Sequence, residues 1–360
     1  MKRFFKKTLI FIAIPFLLSE GYVYFFPFEK IWSKNIESLK LQKNDKRLIF
    51  LGSSRVEAAI LKEEITRVLK DRYRLDTNVY NLGLSGASLA HHYLGLSSTL
   101  KSSPDAVKGS IVLIEALFGI ADTFRWQDDW VGSVQLAGPF LQPHDLLKVI
   151  NSSADWMTKA QMALCSFFKS TLLVQRLNTL VSQRGEQLVR TGIVDLRRII
   201  FPNRPIMNSE VAIHSADGLI RTDSAGVRHH REFILRVSSS REKEVQQNKP
   251  VENWEATVAH ELVQLIRKAG GTPVFFETYS SSHMLKPYLY PTPREDKATF
   301  LRALQRWNVP LITTEMKYTD DDFPDYSHLN LSRAGEYSRL VAQEIGSSKL
   351  LDNPRLSNNK

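Results

Sequence analysis

Short, wholly apolar runs alternate with amphipathic stripes, and this pattern leaves the chain few folds to choose from. Leu48 to Leu51 is such a run. Leu61, Ile65, Val68 and Leu69 follow at helical spacing, and Asn78 to Leu82 is the next strand candidate. A helical stretch from Leu89 to Leu100 then leads to the run Ser110 to Glu115. The alternation returns late in the chain. Val258, Leu262, Leu265 and Ile266 form a stripe, Gly270-Gly271 supplies a helix stop, and Val274 to Tyr279 reads as a strand. A helix over Lys297 to Trp307, a strand over Leu311 to Thr314 and a last helix near Arg333 to Ile345 complete the series. Strands that are apolar on both faces and alternate with amphipathic helices belong in a parallel sheet covered on both sides. The expected fold class is α/β, a flavodoxin-like three-layer sandwich with a parallel sheet of about five strands. Between the halves, from about 118 to 253, the alternation stops. Trp126, Trp130, Trp156 and the apolar stretch Leu172 to Leu180 predict a largely helical insertion, whereas Asp217-Gly218 and the 238–243 segment read as turns. The expected layout is a tail and anchor over 1–30, an α/β domain in two segments, 31–117 and 254–348, an insertion over 118–253 and a disordered tail over 349–360.

Two short segments far apart in sequence carry chemistry. Gly52-Ser53-Ser54-Arg55 follows the first strand, which puts Ser54 on the turn leaving the sheet, and Asp325-Tyr326-Ser327-His328 lies near the C-terminus. A serine hydroxyl is a poor nucleophile until an imidazole takes its proton, and the imidazole needs an acceptor on its other nitrogen to fix its tautomer. A turn serine alone would be ordinary. Its joint occurrence with a distant Asp-x-x-His points to a split Ser/His/Asp site made of Ser54, His328 and Asp325. In an open α/β sheet such loops meet outside the carboxyl ends of the strands, and an insertion leaving the third strand there is positioned as a substrate wall or lid, or else is helical padding.

These blocks resemble the SGNH (GDSL-like) hydrolase superfamily. Gly52-Ser53-Ser54 stands for the family's Gly-Asp-Ser, with Ser53 in the acidic position. Asn81-Leu82-Gly83-Leu84-Ser85-Gly86-Ala87-Ser88 stands for its glycine block, and Asp325 with His328 for its Asp-x-x-His. The resemblance implies an oxyanion hole formed by the Ser54 amide and Gly86. It departs at the third strand, which runs into Ala116-Leu117-Phe118-Gly119 with no Gly-x-Asn, so one oxyanion donor is unassigned. Such a donor is worth about 3 kcal/mol of barrier. The variant looks most like the membrane-anchored branch that handles acyl groups on cell-envelope polymers, including D-alanyl transfer and polysaccharide O-acyltransferase proteins.

The N-terminus bears on compartment. Lys2, Arg3, Lys6 and Lys7 precede an apolar run from Thr8 to Leu18, which resumes after Ser19-Glu20-Gly21 as Tyr22 to Phe26. That is roughly the 20 residues a bilayer span needs, with aromatic residues at the outer end. The expectation is a single-pass signal anchor in a bacterial inner or cytoplasmic membrane, with everything after about residue 30 outside the cytoplasm. The small residues Ser19 and Gly21 leave a cleaved signal peptide as the alternative. The single cysteine, Cys165, excludes an intramolecular disulfide and reads as a small buried hydrophobe.

The formal net charge of +10 comes partly from that tail and partly from basic stretches such as Arg197-Arg198 and Arg228 to Arg231, a diffuse field that attracts lipid head groups or acidic polymers. No nucleic-acid-binding motif is present, so nucleic acid is not an expected partner. His260-Glu261-Leu262-Val263-Gln264 begins like a zincin motif, but Gln264 occupies the second ligand position. The pairs His91-His92 and His229-His230 point in different directions in regular structure and read as surface or cap histidines rather than a chelate. No metal or organic cofactor is expected. The expected function is a membrane-tethered serine esterase or O-acyltransferase acting on an envelope glycan or lipid-linked polymer. The alternative is a catalytically degenerate domain that binds polymer or assembles with a membrane protein partner.

Overall fold

In the computed structural model the described residues are 47–84, 87–118, 141, 143–150, 156–167, 231–232, 235, 251, 253–282, 293–348 and 350. The expected anchor over 1–30, Gly86, His229-His230, most of the expected insertion, including Trp126, Trp130 and 172–180, and the tail over 351–360 lie outside them. Among the described residues no helix is long and apolar enough to cross a membrane.

The chain separates into two compact units, one spanning 31–129 and 212–360 and containing every described strand. Its elements are β1 (Arg47–Gly52), α1 (Ser54–Ala59), α2 (Lys62–Tyr73), β2 (Asn78–Gly83), α3 (Leu89–Ser102) and β3 (Ile111–Ala116), followed after other elements by the rest of the sheet. The second unit includes 130–211, where α4 (Leu146–Ile150) and α5 (Trp156–Phe167) follow a single 3-10 turn. There Met162 and Cys165 are fully buried. Returning to the first unit, α6 (Val258–Lys268), β4 (Thr272–Glu277), α7 (Pro293–Trp307), β5 (Leu311–Ile312) and α8 (Leu331–Ser347) complete the order.

The sheet has five strands in the order β2-β1-β3-β4-β5, all parallel. All six residues of β1 and all six of β3 are buried, as strands covered on both faces must be. Side chains alternate between the faces. Leu48, Phe50, Ile111, Leu113, Val274, Phe276 and Ile312 share one face with Ile65 and Leu69 of α2 and Val341 and Ile345 of α8. Phe50 and Phe276 meet edge to face at 5.4 Å. On the opposite face Phe275 packs edge to face against Phe300 of α7 at 5.0 Å.

Helix ends follow local chemistry. Helix α2 starts with Glu63 and Glu64, finishes with Lys70 and Arg72, and closes on Arg74 in the left-handed region, whose N–H reaches back to Leu69 and Lys70. Thr257 caps α6, and Gly270 (φ 77°) ends the turn beyond it. One contact explains why distant segments converge. Ser338, fully buried on α8, donates to Ala59 O at 2.8 Å and accepts from Leu61 N at 2.9 Å. This pins α8 to the junction of α1 and α2. Because α1 begins at Ser54 and α8 begins three residues after His328, the pinned helices bring the two segments together.

Candidate active site

The turn that carries Ser54 is built by short-range sterics and one carboxylate. At Gly52 a Cβ would lie 2.2 Å from Val56 Cγ2 and 2.7 Å from Glu115 Oε2, so only glycine lets β1 bend this tightly into α1. Ser53 is the N-cap of α1, its hydroxyl accepting from Arg55 N at 3.3 Å. Ser54, the first helical residue, has no intrahelical acceptor for its amide. Glu115, 8% exposed near the end of β3, accepts from Ser53 N at 2.6 Å through Oε2. Its Oε1 accepts from the Ser53 hydroxyl at 3.1 Å and from Thr278 Oγ1 at 2.9 Å, and it faces Arg55 Nε at 3.4 Å. One carboxylate thus ties the ends of β1, β3 and β4 around the serine turn.

The far end of α1 is held just as firmly. Asn81 Nδ2 donates to Ile60 O at 2.9 Å, Val56 O at 3.0 Å and Glu57 O at 3.3 Å, while its Oδ1 accepts from Gly83 N at 2.8 Å. A six-residue helix exposes most of its carbonyls, and this side chain collects them. Below the turn, His92 Nε2 donates to Gly52 O at 2.8 Å from a fully buried position.

The other half of the site is a compact loop. Asp325 Oδ1 accepts from Ser327 N at 3.0 Å and His328 N at 2.8 Å, and its Oδ2 accepts from His328 Nδ1 at 2.7 Å. Tyr326 takes the left-handed conformation (φ 67°) that this reversal requires. Arg231 donates to Pro324 O and lies 5.0 Å above the Tyr326 ring, while Ser281 donates to Tyr326 O. The loop closes through Asn330 N to Asp322 O at 2.9 Å.

His328 Nε2 lies 2.7 Å from Ser54 Oγ, so Ser54, His328 and Asp325 form one continuous hydrogen-bonded line. Asp325 and His328 are each 4% exposed. Burial alone would raise the Asp325 pKa, but the hydrogen bonds and charge of His328 and the two loop amides outweigh it and hold the carboxyl down at about 2. A carboxylate accepts only, so Nδ1 carries a proton, and whenever the ring is neutral Nε2 is the nitrogen left to accept from the serine hydroxyl. This is the tautomer a general base needs.

Of the residues read from the sequence, the structure brings Ser54, His328 and Asp325 together, and Gly86 lies outside the described residues. Within its block the amides of Gly83, Leu84 and Ala87 are already engaged by Asn81 Oδ1, Gly52 O and Leu84 O. Asn81 caps a helix rather than facing the serine. Of the surface or cap roles expected at His91-His92, the surface one is corrected, because both are buried, and the cap role falls to His91. His91 Nδ1 accepts from Ser88 N at 2.8 Å as part of the cap of α3. Burial, with the neighbouring His92, pushes the pKa of His91 down to about 3, and burial pushes that of His92 down to about 4 despite the Gly52 hydrogen bond and Glu115. His260 pairs with Gln264 at 3.0 Å and stacks on Trp307. Among the described residues no cluster of His, Cys, Asp and Glu could hold a metal. Glu115 is the participant that sequence reasoning missed. Its only signal was an acid closing an otherwise apolar strand.

No known family model matches the chain, and no curated protein matches it in sequence.

Proposed function

We propose that this chain is a membrane-tethered, extracytoplasmic serine esterase or O-acyltransferase acting on ester-linked acyl groups of a cell-envelope glycan or lipid-linked polymer. The observation that carries the chemistry is His328, hydrogen-bonded at 2.7 Å to both Ser54 Oγ and Asp325 Oδ2. The strand order 2-1-3-4-5 supports the flavodoxin-like sandwich, and in such sheets ligands bind outside the carboxyl ends of the strands, where Ser54 stands. The tether and compartment rest on the basic and apolar N-terminus alone.

In this reading Ser54 Oγ attacks the ester carbonyl while His328 Nε2 takes its proton. The tetrahedral intermediate places its oxyanion at the Ser54 amide, with Gly86 as the second donor implied by the family resemblance. Collapse breaks the ester bond, and His328 returns the proton to the departing alcohol. The acyl group stays on Ser54 Oγ. Water, or a glycan hydroxyl, then attacks the acyl carbon with His328 again as base, the Ser54 Oγ–acyl bond breaks and His328 returns the proton to Ser54 Oγ, giving an esterase in the first case and a transferase in the second. Asp325 keeps the ring in its working tautomer and stabilises the imidazolium. No step requires a metal or an organic cofactor.

The test in cells compares ester-linked acyl groups, released from envelope polymers by mild alkali, among wild type, a deletion strain and a deletion strain carrying Ser54→Ala. The expected result is a changed profile on deletion that wild-type protein restores and Ser54→Ala does not. An unchanged profile in every polymer overturns the polymer assignment. Restoration by Ser54→Ala favours the assembly reading instead.

A further inference from the structure

Arg55 directly follows Ser54, so their Cα atoms are about 3.8 Å apart. Its side chain is only 12% exposed. A guanidinium offers five N–H donors and normally meets a carboxylate as a two-pronged pair. Here Glu115 provides a single flank contact, an ion pair from Nε to Oε1 at 3.4 Å that is not aligned as a hydrogen bond, and among the described residues Nε makes no hydrogen bond. The Glu115 oxygens are already engaged by Ser53 N, the Ser53 hydroxyl and Thr278 Oγ1. The two Nη groups make no hydrogen bond among the described residues. Only Nε is buried, so the two Nη groups of this largely buried cation keep solvent contact and stand open to an acceptor from outside the chain. Its position suits a substrate. Glu115 and Thr278 mark the carboxyl ends of β3 and β4, so the guanidinium is anchored on the edge of the sheet where ligands enter, one residue from the nucleophile.

We infer that Arg55 binds a negatively charged group of the substrate, a phosphate or a carboxylate borne close to the acyl ester cleaved at Ser54. The assignment rests on the esterase reading of Ser54 and narrows it to anionic acyl carriers. Glu115 holds the guanidinium by its Nε flank and leaves the Nη edge to the anion. Arginine suits this role because its planar fork matches either oxyanion.

The test uses full-length protein in lipid and three acetyl esters of similar size: those of glycerol, glycerol 3-phosphate and glyceric acid. The wild type is expected to favour one anionic ester over the glycerol ester by about tenfold or more in kcat/KM, mainly through KM. Which anion is favoured separates phosphate from carboxylate. Arg55→Gln is expected to abolish the preference and Arg55→Lys to keep part of it. Equal kcat/KM for all three esters in the wild type, or a preference that survives Arg55→Gln, overturns the inference. A separate arm measures whether glycerol 3-phosphate or glycerate, but not glycerol, slows fluorophosphonate labelling of Ser54. Labelling that neither anion slows refutes the anion site and leaves the serine reading intact. If Ser54 neither labels nor turns over, the esterase reading fails. Calorimetric titration with glycerol 3-phosphate and glycerate then decides the site, since binding by wild type but not Arg55→Gln supports it and equal binding or none overturns it.

Discussion

Replacing Glu115 by glutamine keeps the shape of the side chain and removes its charge, so it isolates what the carboxylate does for the serine turn. The amide cannot satisfy the donors the carboxylate meets. With its oxygen toward Ser53 N, its NH2 takes the place of Oε1, where the hydroxyls of Ser53 and Thr278 can turn to accept but Arg55 cannot. Reversing the amide sets NH2 against the Ser53 N–H. In the better orientation the hydrogen bond from Ser53 loses its charge assistance, about 1 kcal/mol. Arg55 is left buried without a counter-charge, which costs about 3 kcal/mol because the pair retains some solvent contact. The total, about 4 kcal/mol, is within the 5–15 kcal/mol or so by which a typical domain is stable. The variant should therefore fold with Tm lower by roughly 10 °C. Scanning calorimetry at pH 7.5 reads the stability and fluorophosphonate labelling reads the turn. A shift of the serine by about 1 Å is worth roughly a hundredfold in rate, and Glu115→Asp, which keeps the charge, should recover part of it. A Glu115→Gln protein that melts within a degree of wild type and labels at the same rate would refute this account of the turn.

His91 and His92 make the fold acid-labile. Their folded pKa values, about 3 and about 4, lie below the unfolded value of 6.5, so the unfolded chain takes up protons first and stability falls as pH drops from about 6.5 toward 4. At pH 5.5 the loss is about 1.4 kcal/mol for each histidine, and urea midpoints that agree at pH 7.5 and 5.5 would contradict it. Asp325, also depressed in the fold, adds stability above its unfolded pKa near 3.8 and loses it as pH falls toward 2, below this window. Asn81→Asp puts a carboxylate against the carbonyls of Val56, Glu57 and Ile60, and should lower Tm and slow Ser54 labelling together; an unshifted melt would show that the cap is dispensable. Asp325→Asn should leave a folded protein whose labelling is slower by orders of magnitude, because the asparagine amide can select the wrong His328 tautomer, and wild-type labelling would remove Asp325 from the site.

Most strands were legible because they are short apolar runs closed by turn chemistry; β2, with two asparagines and mostly half-buried, is the exception. Leu48 to Leu51 lies inside Arg47–Gly52, and Val274 to Tyr279 overlaps Thr272–Glu277. The long amphipathic helices were legible for the same reason, their ends moving by a few residues as caps such as Asn330 took hold. Helix α1 left no periodic signal, since six residues are under two turns. The strand at Leu311 shortens to two residues, since only Leu311 and Ile312 pair with β4. In the site, Asp325 and His328 were readable because their chemistry is local, three residues apart on one loop. Glu115 and Asn81 were not, because they act on partners 21 to 163 residues away and through contacts that only the sheet register creates. His92 reads as an ordinary polar residue until the fold buries it beneath Gly52. Arg55 was in view all along, but its lack of hydrogen-bond acceptors can be seen only in three dimensions.

In the proposed reaction everything depends on activation of Ser54 as a nucleophile by His328. The most direct test of that activation is mass spectrometry of full-length protein in lipid after reaction with a fluorophosphonate at pH 7.5. One adduct is expected, located on the peptide containing Ser54, absent from Ser54→Ala and formed slower by orders of magnitude in His328→Ala. Folded wild-type protein that stays unlabelled, or an adduct on any other residue, would contradict it.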